Sequence, residues 1–345
     1  MSREAMRVIA LEEHYADPEL LAAIGFDVSR LPASRRSGLT DHRVRLADMD
    51  RAGIDLQVLS ALPPGMQQIP GPRAAIEARA ANRWLHEQAL TVWPHRFAAF
   101  ATLPLTDPDA SAAELDYAVR ELGFLGAMIH GMAGDRFLDH PDFEPILDAA
   151  AELGVPLYLH PGFPPPAVIE AYYSGLSPAA GHALATHAYG WHYETSLHAL
   201  RLIAAGVFDR LPTLQIILGH LGEGLPFHLP RIERMLSGAA PHLAYPVSSY
   251  VRNNLWITTS GYFDDEPLRL ARHVFGDARI MFSVDYPFSD NTTATDWLHG
   301  LGLEPDAWHA IAHRNAEQLL GLTTPVDAPG AIPRPQLCDW PPRAL

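Results

Sequence analysis

The sequence predicts an α/β fold, namely a (β/α)8 barrel (TIM barrel) with an insertion after the first strand and a Pro-rich tail at the carboxyl end. Short β-rich runs alternate with longer helical stretches, which is typical of βα units around a parallel sheet. Eight such runs are present, and eight parallel strands close a barrel. The length of 345 residues is also common for a single α/β barrel domain.

The eight predicted strands are rich in aliphatic and β-branched residues. They are residues 7–14, 56–62, 96–105, 126–131, 156–160, 214–220, 255–261 and 279–286. The predicted helices are residues 74–91, 110–122, 144–153, 196–205 and 306–320. Gly154 and Gly206 follow two of these helices, and glycine is common just past a helix end.

Two segments fall outside the βα repeat, and neither indicates a second domain. Residues 17–42 are predicted to be a long, Arg-bearing loop after the first strand, which in a barrel lies over the active face. Residues 323–345 are Pro-rich and lack helical periodicity, so we expect an extended tail that packs on the barrel or on a neighbouring subunit. The predicted barrel domain is therefore residues 1–322.

The composition excludes several classes of partner. The chain has 25 Lys and Arg against 40 Asp and Glu, a net charge of -15, which argues against binding to nucleic acid or to an anionic membrane surface. No apolar run approaches the roughly 18 residues that span a bilayer. Cys338 is the only cysteine, and no signal-peptide core follows Met1, so the expected location is the cytoplasm.

The first predicted strand ends in Leu11-Glu12-Glu13-His14. Because successive side chains of a strand point to opposite faces, Glu12 and His14 share one face and Glu13 is turned away. A carboxylate and an imidazole on one face can provide half of a divalent metal site. Taken alone, this tetrapeptide is more typical of a solvated polar strand end.

Three further predicted strands also end in metal-binding residue types. His160 ends the fifth strand, His220 the sixth and Asp285 the eighth. Since the carboxyl ends of barrel strands meet at one face, these side chains should converge with Glu12 and His14. A single histidine is more typically structural, but such residues on four of eight strands are difficult to attribute to packing.

Two imidazoles and two carboxylates are thereby predicted to bind one divalent metal ion: Glu12, His14, His160 and Asp285. This mixture suits Zn, Mn or Fe, and the second carboxylate also admits Mg; Zn or Mn is the leading expectation, and no organic cofactor is expected. Glu223 follows His220 by three residues and would accept a hydrogen bond from one ring nitrogen, fixing its tautomer. The alternative role of Glu223 is a charge at a helix N-terminus.

Several motifs resemble those of a known enzyme family, in the same order along the chain. They are residues 12–14, 160–161, 219–226 and 282–288, with further similar stretches at residues 97–108, 121–126 and 194–211. They resemble the decarboxylase branch of the amidohydrolase superfamily, which includes aminocarboxymuconate semialdehyde decarboxylase. The chain is most similar to the γ-resorcylate and 2,3-dihydroxybenzoate decarboxylases, which have Glu-x-His in the first motif. The resemblance extends from about residue 8 to residue 322.

The resemblance implies a metal-dependent, non-oxidative decarboxylase of an ortho-hydroxylated aromatic acid of the hydroxybenzoate type. The substrate carboxylate and ortho-hydroxyl oxygens would be bound at the metal, and Asp285 would protonate the ring carbon before CO2 leaves. Breaking aromaticity in this way requires a stabilised phenolate and a carboxylic acid near the carbon. His220 and Glu223 would form the adjacent acid/base and orienting pair. A homodimer or homotetramer is expected.

Three aromatic residues are candidate walls of the substrate pocket: Phe26, Trp191 and Tyr286. Arg231 matches a family arginine that reaches across a subunit interface toward the substrate, with a surface salt bridge as its alternative role. The fourth strand ends in His130, where the related hydroxybenzoate decarboxylases have Asn, so His130 is a candidate substrate contact and the ring substituents stay open. Residues 161–165 lack the polar groups of close relatives, which predicts a more apolar pocket wall.

Two other functions remain open from the sequence. The same site would serve a metal-dependent hydrolase or hydratase of a small lactone, amide or unsaturated acid, with Asp285 as the base for a water molecule. A binuclear hydrolase is disfavoured, because the fourth strand offers His130 in place of a lysine ligand. A non-catalytic scaffold with a structural metal is the third hypothesis. His220 and Glu223 argue against it, since a structural site is normally closed by four ligands.

Overall fold

The computed structural model describes residues 6–322, and in this range the chain forms the predicted barrel. The strands are β1 (Ile9–Tyr15), β2 (Leu56–Ala61), β3 (Phe97–Ala99), β4 (Ala127–His130), β5 (Leu157–His160), β6 (Ile216–Leu218), β7 (Leu255–Thr258) and β8 (Ile280–Met281). They pair in parallel as one sheet of β1 to β3 and one of β4 to β8. Parallel bridges from Glu13 to Tyr286 and from Ala101 to Ala127 join the two sheets and close the barrel.

Every predicted strand overlaps an observed one, but most of the observed strands are shorter. The predicted eighth strand covered residues 279–286, whereas β8 has two residues. Phe282 and Val284 are fully buried in the loop that follows β8. An apolar pattern reports burial rather than ladder hydrogen bonds, so buried loop residues were included in the prediction. The predicted tail at residues 323–345, which includes Cys338, lies outside the described residues.

Helices lie outside the strands. The α-helices are Pro18–Ile24, Ala33–Thr40, His42–Ala52, Arg73–Leu85, Pro108–Arg120, Glu144–Leu153, Pro166–Tyr173, Pro178–Ala185, Gly190–Ala204, Val207–Arg210, Leu225–Ala239, Val247–Asn254, Asp265–Phe275, Asn291–Gly300, Pro305–His309 and Asn315–Leu320. Short 3-10 helices cover Val28–Arg30, Pro141–Phe143 and Asp277–Arg279, and π-helical turns cover His86–Leu90 and Ala310–Arg314. All five predicted helices are present, with shifted ends in four of them. No helix within residues 6–322 is long and apolar enough to cross a membrane.

The prediction of a loop at residues 17–42 was wrong, because most of this insertion is helical. The Asp17 side chain accepts hydrogen bonds from the backbone N–H groups of Glu19 and Leu20, and Pro18 occupies the first helical turn. Gly25 ends this first helix in the left-handed conformation, with φ of 66°. These are standard start and stop signals of a helix, and the prediction did not use them.

Two hydrophobic layers hold the fold together. The larger lies between the sheet and the helices. The smaller fills the barrel interior with residues of all eight strands or their ends: Ile9, Leu11, Leu56, Val58, Ala98, Phe100, Met128, Tyr158, Ile217, Trp256 and Met281. Because apolar side chains occupy this interior, the polar side chains at the carboxyl ends of the strands form a separate layer above them.

Strand β1 contains one extra residue relative to β2 between Ala10 and Glu13. Such a bulge reverses the alternation of side chains along a strand. Ile9 belongs to the interior layer, and after the bulge Glu12 and His14 also face the interior. The bulge therefore decides which residues of β1 reach the site.

His42 begins the helix His42–Ala52 and is a buried, unpaired imidazole. Its ring lies within 6.4 Å of the rings of Trp84, Trp93 and Phe97. Neither ring nitrogen has a hydrogen-bond partner among the described residues. Burial lowers the pKa of His42 from 6.5 to about 4, with the nearby Arg45 adding to the effect.

We predict that His42 makes the free energy of unfolding fall as the pH drops from 6.5 toward about 4. In that window the unfolded chain binds a proton on His42 that the folded chain does not, at a cost of up to about 1.4 kcal/mol per pH unit. Above pH 6.5 His42 is neutral in both the folded and the unfolded chain, so this destabilisation is absent. His42→Phe should reduce the loss of stability, measured by urea unfolding at pH 4.5 and 7.5. The exposed His95→Gln is the control, and equal losses in wild type and His42→Phe would contradict the prediction.

Candidate metal centre and active site

Four side chains converge at the carboxyl ends of β1, β5 and β8: Glu12, His14, His160 and Asp285. Each offers one ligand atom, and these four atoms lie within 4.8 Å of one another. His14 Nε2 is 3.3 Å from Asp285 Oδ1, and His160 Nε2 is 3.2 Å from Glu12 Oε1. The structure thus brings together the four residues that the sequence singled out as metal ligands.

The far nitrogen of each imidazole is held by the barrel wall. His160 Nδ1 donates to the carbonyl oxygen of Pro161 at 2.8 Å, and His14 Nδ1 lies 3.2 Å from Ser60 Oγ. The Pro161 bond leaves His160 Nε2 with its lone pair turned toward Glu12, and His14 Nε2 faces Asp285. Metal-binding histidines are oriented in this way.

Glu12 is fully buried, and its two oxygens have different surroundings. Oε2 accepts hydrogen bonds from the hydroxyls of Tyr158 and Ser260. Oε1 has no hydrogen-bond donor among the described residues and faces His160 Nε2. Burial alone would raise the pKa of Glu12, but His220 and the other nearby imidazoles outweigh burial and lower it.

An anionic oxygen that lacks a donor and faces an imidazole lone pair is unfavourable unless a cation lies between them. Together with the donor set of two nitrogens and two oxygens, this arrangement fits a divalent metal ion such as Mn or Zn.

The segment from His220 to Gly224 is a left-handed turn that follows β6. The non-glycine residues His220, Leu221 and Glu223 have φ of 49°, 54° and 57°, a conformation that costs energy and is concentrated at functional sites. The turn folds Glu223 back onto His220, so that Oε1 accepts a hydrogen bond from His220 Nδ1 at 2.8 Å. The alternative role of Glu223 at a helix N-terminus is not observed, since its side chain contacts imidazoles instead.

His220 and Glu223 each stabilise the charged form of the other. Burial would lower the pKa of His220, but Glu223 and Glu12 outweigh burial and raise it to about 10. Burial would raise the pKa of Glu223, but His220 and His192 outweigh burial and lower it. His220 Nε2 lies 3.9 Å from Glu12 Oε1. The ring therefore lies between Glu223 and the four candidate metal ligands, which are called the ligand group below.

His192 is a functional candidate that sequence reasoning missed. Its Nδ1 donates to Glu223 Oε2 at 2.6 Å. His192 lies in the first turn of the helix Gly190–Ala204, whereas the histidines predicted to be functional all lie at strand ends. No signal in the sequence distinguishes it from the many other histidines.

Glu13 is fully buried and, as predicted, is turned away from the group that Glu12 and His14 join. It does not belong to the ligand group, but its Oε1 accepts from the N–H of Val284 at 2.9 Å and its Oε2 from the N–H of Tyr286 at 3.1 Å. These residues flank Asp285, which has a left-handed φ of 69°. Burial raises the pKa of Glu13 to about 8. Glu13 therefore holds the backbone on both sides of Asp285.

A cavity of about 630 Å³ opens over the ligand group. His14, His160 and Asp285 form part of its floor. Its walls include four aromatic side chains: Phe26, Phe163, Trp191 and Phe288. Arg35 and Leu31, from the insertion after β1, also line it, so this insertion does cover the active face. The cavity can accept a flat ring next to the ligand group.

Three candidate substrate contacts do not line this cavity. His130 is buried behind His160, with 5.1 Å between the ring centres. Tyr286 donates its hydroxyl hydrogen to Asp48 at 2.7 Å and belongs to the barrel wall. Arg231 is exposed on the helix Leu225–Ala239, and its reach across a subunit interface stays a prediction. His130 and Tyr286 lie buried in the wall beside the cavity, and their contact with a substrate stays a prediction.

Comparisons with known proteins agree with this geometry. The sequence pattern of the family described as Amidohydrolase matches residues 16–322. The chain is 41% identical over 327 residues to Decarboxylase orsB of Emericella nidulans, covering 91% of this chain and 96% of that protein. It is 38% identical over 331 residues to the gamma-resorcylate decarboxylase of Polaromonas sp., covering 91% of this chain and 98% of that protein.

The chain is also similar in fold and sequence to a solved structure. The dihydroxybenzoic acid decarboxylase from Polaromonas sp., with bound manganese and the inhibitor 2-nitroresorcinol, superimposes with a TM-score of 0.81 at 37% identity. The match covers 92% of this chain and 97% of that one.

We predict that the two adjacent glutamates respond differently to replacement by glutamine. Glu12→Gln should abolish metal binding, because it removes a buried anionic ligand. Glu13→Gln should retain the metal with roughly 10- to 100-fold weaker affinity. The amide NH2 group would face one of the two backbone N–H groups that Glu13 accepts, and the repulsion between these donors would displace Asp285. Elemental analysis and chelator competition measure both effects. Exposed Glu19→Gln is the control, and complete metal loss in both variants would contradict the prediction.

Proposed function

We propose, from the premise that the chain belongs to the amidohydrolase family and is a carboxy-lyase, that it removes CO2 from an ortho-hydroxylated aromatic carboxylic acid without oxidation. The observation that carries this proposal is the position of Asp285. Its side chain is 20% exposed at the cavity floor, next to two imidazoles and beneath an aromatic wall. Family membership confirms the resemblance inferred from the motifs, and the relatives named as decarboxylases support the reaction type.

Four residues would hold one divalent metal ion: Glu12, His14, His160 and Asp285. When bound, the ion supplies electrostatic stabilisation of negative charge on the carboxylate and phenolate oxygens of the substrate. The bound manganese of the Polaromonas enzyme favours manganese for this chain, and zinc suits the same donor set.

The acid/base residues of the chain would act in sequence. Asp285 takes the proton of the substrate's ortho-hydroxyl group on binding and then delivers it to the ring carbon that bears the carboxylate. Glu223 raises the pKa of His220 and holds its Nδ1, so His220 would donate a hydrogen bond from Nε2 to a substrate oxygen. The bond from the ring to the carboxylate then breaks, its electron pair restores aromaticity, and CO2 leaves. The product phenolate takes a proton from solvent.

The cavity would select the substrate by shape more than by charge. The aromatic walls favour a flat ring, and Phe163 follows β5 within the apolar stretch at residues 161–165. Excluding water in this way strengthens the interaction of the substrate anion with His220. Location in the cytoplasm and assembly into a homodimer or homotetramer stay predictions.

We predict that the manganese-loaded protein releases CO2 from at least one acid in a panel of ortho-hydroxybenzoates, and not from 4-hydroxybenzoate, which lacks the ortho-hydroxyl group. In D2O the product should carry one deuterium at the carbon that bore the carboxylate, as detected by mass spectrometry and NMR. In heavy-oxygen water the organic product should gain no label. Solvent oxygen in the organic product would instead identify a hydrolase or hydratase, and no CO2 from any acid would overturn the proposal.

Replacing Asp285 with Asn should separate its proposed role as proton donor from its proposed role as metal ligand. We expect the turnover number to fall roughly 10²- to 10⁴-fold, since a positioned acid contributes about that much, while the amide oxygen retains part of the metal affinity. Steady-state assays and elemental analysis of one preparation give both numbers. Asp290 caps the helix Asn291–Gly300, and Asp290→Asn is the matched control, because Asn also caps a helix well. Turnover above a tenth of wild type in Asp285→Asn would exclude Asp285 as the proton donor.

A further inference from the structure

One buried carboxylate serves two imidazoles in this protein. The Glu223 side chain is fully buried. Its Oε1 accepts a hydrogen bond from His220 Nδ1 at 2.8 Å, and its Oε2 accepts one from His192 Nδ1 at 2.6 Å. His192 Nε2 lies 3.2 Å from the carbonyl oxygen of His187. The proposed mechanism uses the first imidazole and leaves the second without a role.

The ring of His192 is itself held firmly. It packs edge-on against His220, with 4.9 Å between ring centres, and against Tyr262 at 5.6 Å. The hydrogen bond to Glu223, the contact with the His187 carbonyl and two ring contacts therefore fix its orientation. A side chain held in this way can transmit its position to the group it contacts, because it has little rotational freedom of its own.

We propose that His192 is a positioning residue for the decarboxylation, acting through Glu223 on His220. A carboxylate held by one donor can rotate about its last bond, whereas a donor on each oxygen prevents this rotation. Glu223 then keeps His220 Nδ1 in place and leaves Nε2 directed toward Glu12 and the cavity. This inference rests on the proposed function.

The position of His192 also links the cavity wall to the acid/base pair. His192 lines the cavity together with Trp191, and both lie on the segment that follows β5. This segment includes the helices Pro166–Tyr173 and Pro178–Ala185. A shift of this wall would therefore reach Glu223 through a single hydrogen bond.

A second metal ion is the competing explanation for this cluster. The nearest ligand atoms of His192, His220 and Glu223 lie within 4.8 Å of one another, and two imidazoles with one carboxylate can bind a divalent ion. Direct hydrogen bonds of 2.6 and 2.8 Å already satisfy these atoms, which favours positioning. The number of bound metal ions separates the two explanations.

The test compares two substitutions of His192 with a neighbouring control. His192→Leu removes the donor, and His192→Asn keeps a donor near the position of Nδ1. We expect His192→Leu to lower kcat roughly 10- to 100-fold with a smaller change in KM, and His192→Asn to recover most of the loss. Tyr193→Leu, at an exposed position in the same helical turn, should match wild type. Manganese content should be the same in all four proteins.

A second readout does not depend on turnover. Nitrogen-15 NMR of histidine-labelled protein reports the hydrogen on His220 Nδ1, and its signal should shift in His192→Leu but not in His192→Asn. Unchanged kcat, a loss of kcat with unchanged His220 signals, or loss of one manganese equivalent would each overturn the inference. If the wild type releases no CO2, the proposed function fails, and the NMR comparison still decides whether His192 positions His220.

Discussion

A carboxylate buried inside the barrel, that of Glu12, determines what the surrounding residues must be. Moving a charge out of water costs several kcal/mol unless nearby groups offset it. Hydroxyls of Tyr158 and Ser260 satisfy one oxygen of Glu12, and the imidazoles around the other lower its pKa. Gly219 permits this approach, because a Cβ there would lie 2.6 Å from Oε2. Strands β5, β6 and β7 are thus tied to one carboxylate.

The adjacent residue, Glu13, takes part both in the candidate site and in the contacts that close the barrel. It accepts the backbone N–H groups on either side of Asp285, and the N–H of His14 donates to the carbonyl oxygen of Tyr286 at 2.8 Å. These contacts are the junction between the first strand and the last. Two proposed ligands therefore reach each other only when the barrel closes, so that folding and formation of the site depend on the same hydrogen bonds.

The third buried glutamate, Glu223, has a different task. It lies on a left-handed turn that no regular helix or strand would provide, and it is shared by two imidazoles from different βα units. Strained backbone of this kind persists where the surrounding contacts over-determine it. The cavity above has several aromatic side chains in its walls, and the imidazoles and carboxylates lie at its floor, where a substrate anion would be bound.

The sequence by itself determined the barrel and the ligand group. Strands buried on both faces must be apolar runs, and parallel topology places their carboxyl ends together. Only the tertiary structure decided the tasks of Glu13 and His192 and the helical form of residues 17–42. Side-chain alternation is a local rule, whereas the bulge in β1 depends on pairing with its neighbour. His192 meets a glutamate 31 residues away in sequence, and such contacts follow from packing between units that no local pattern encodes.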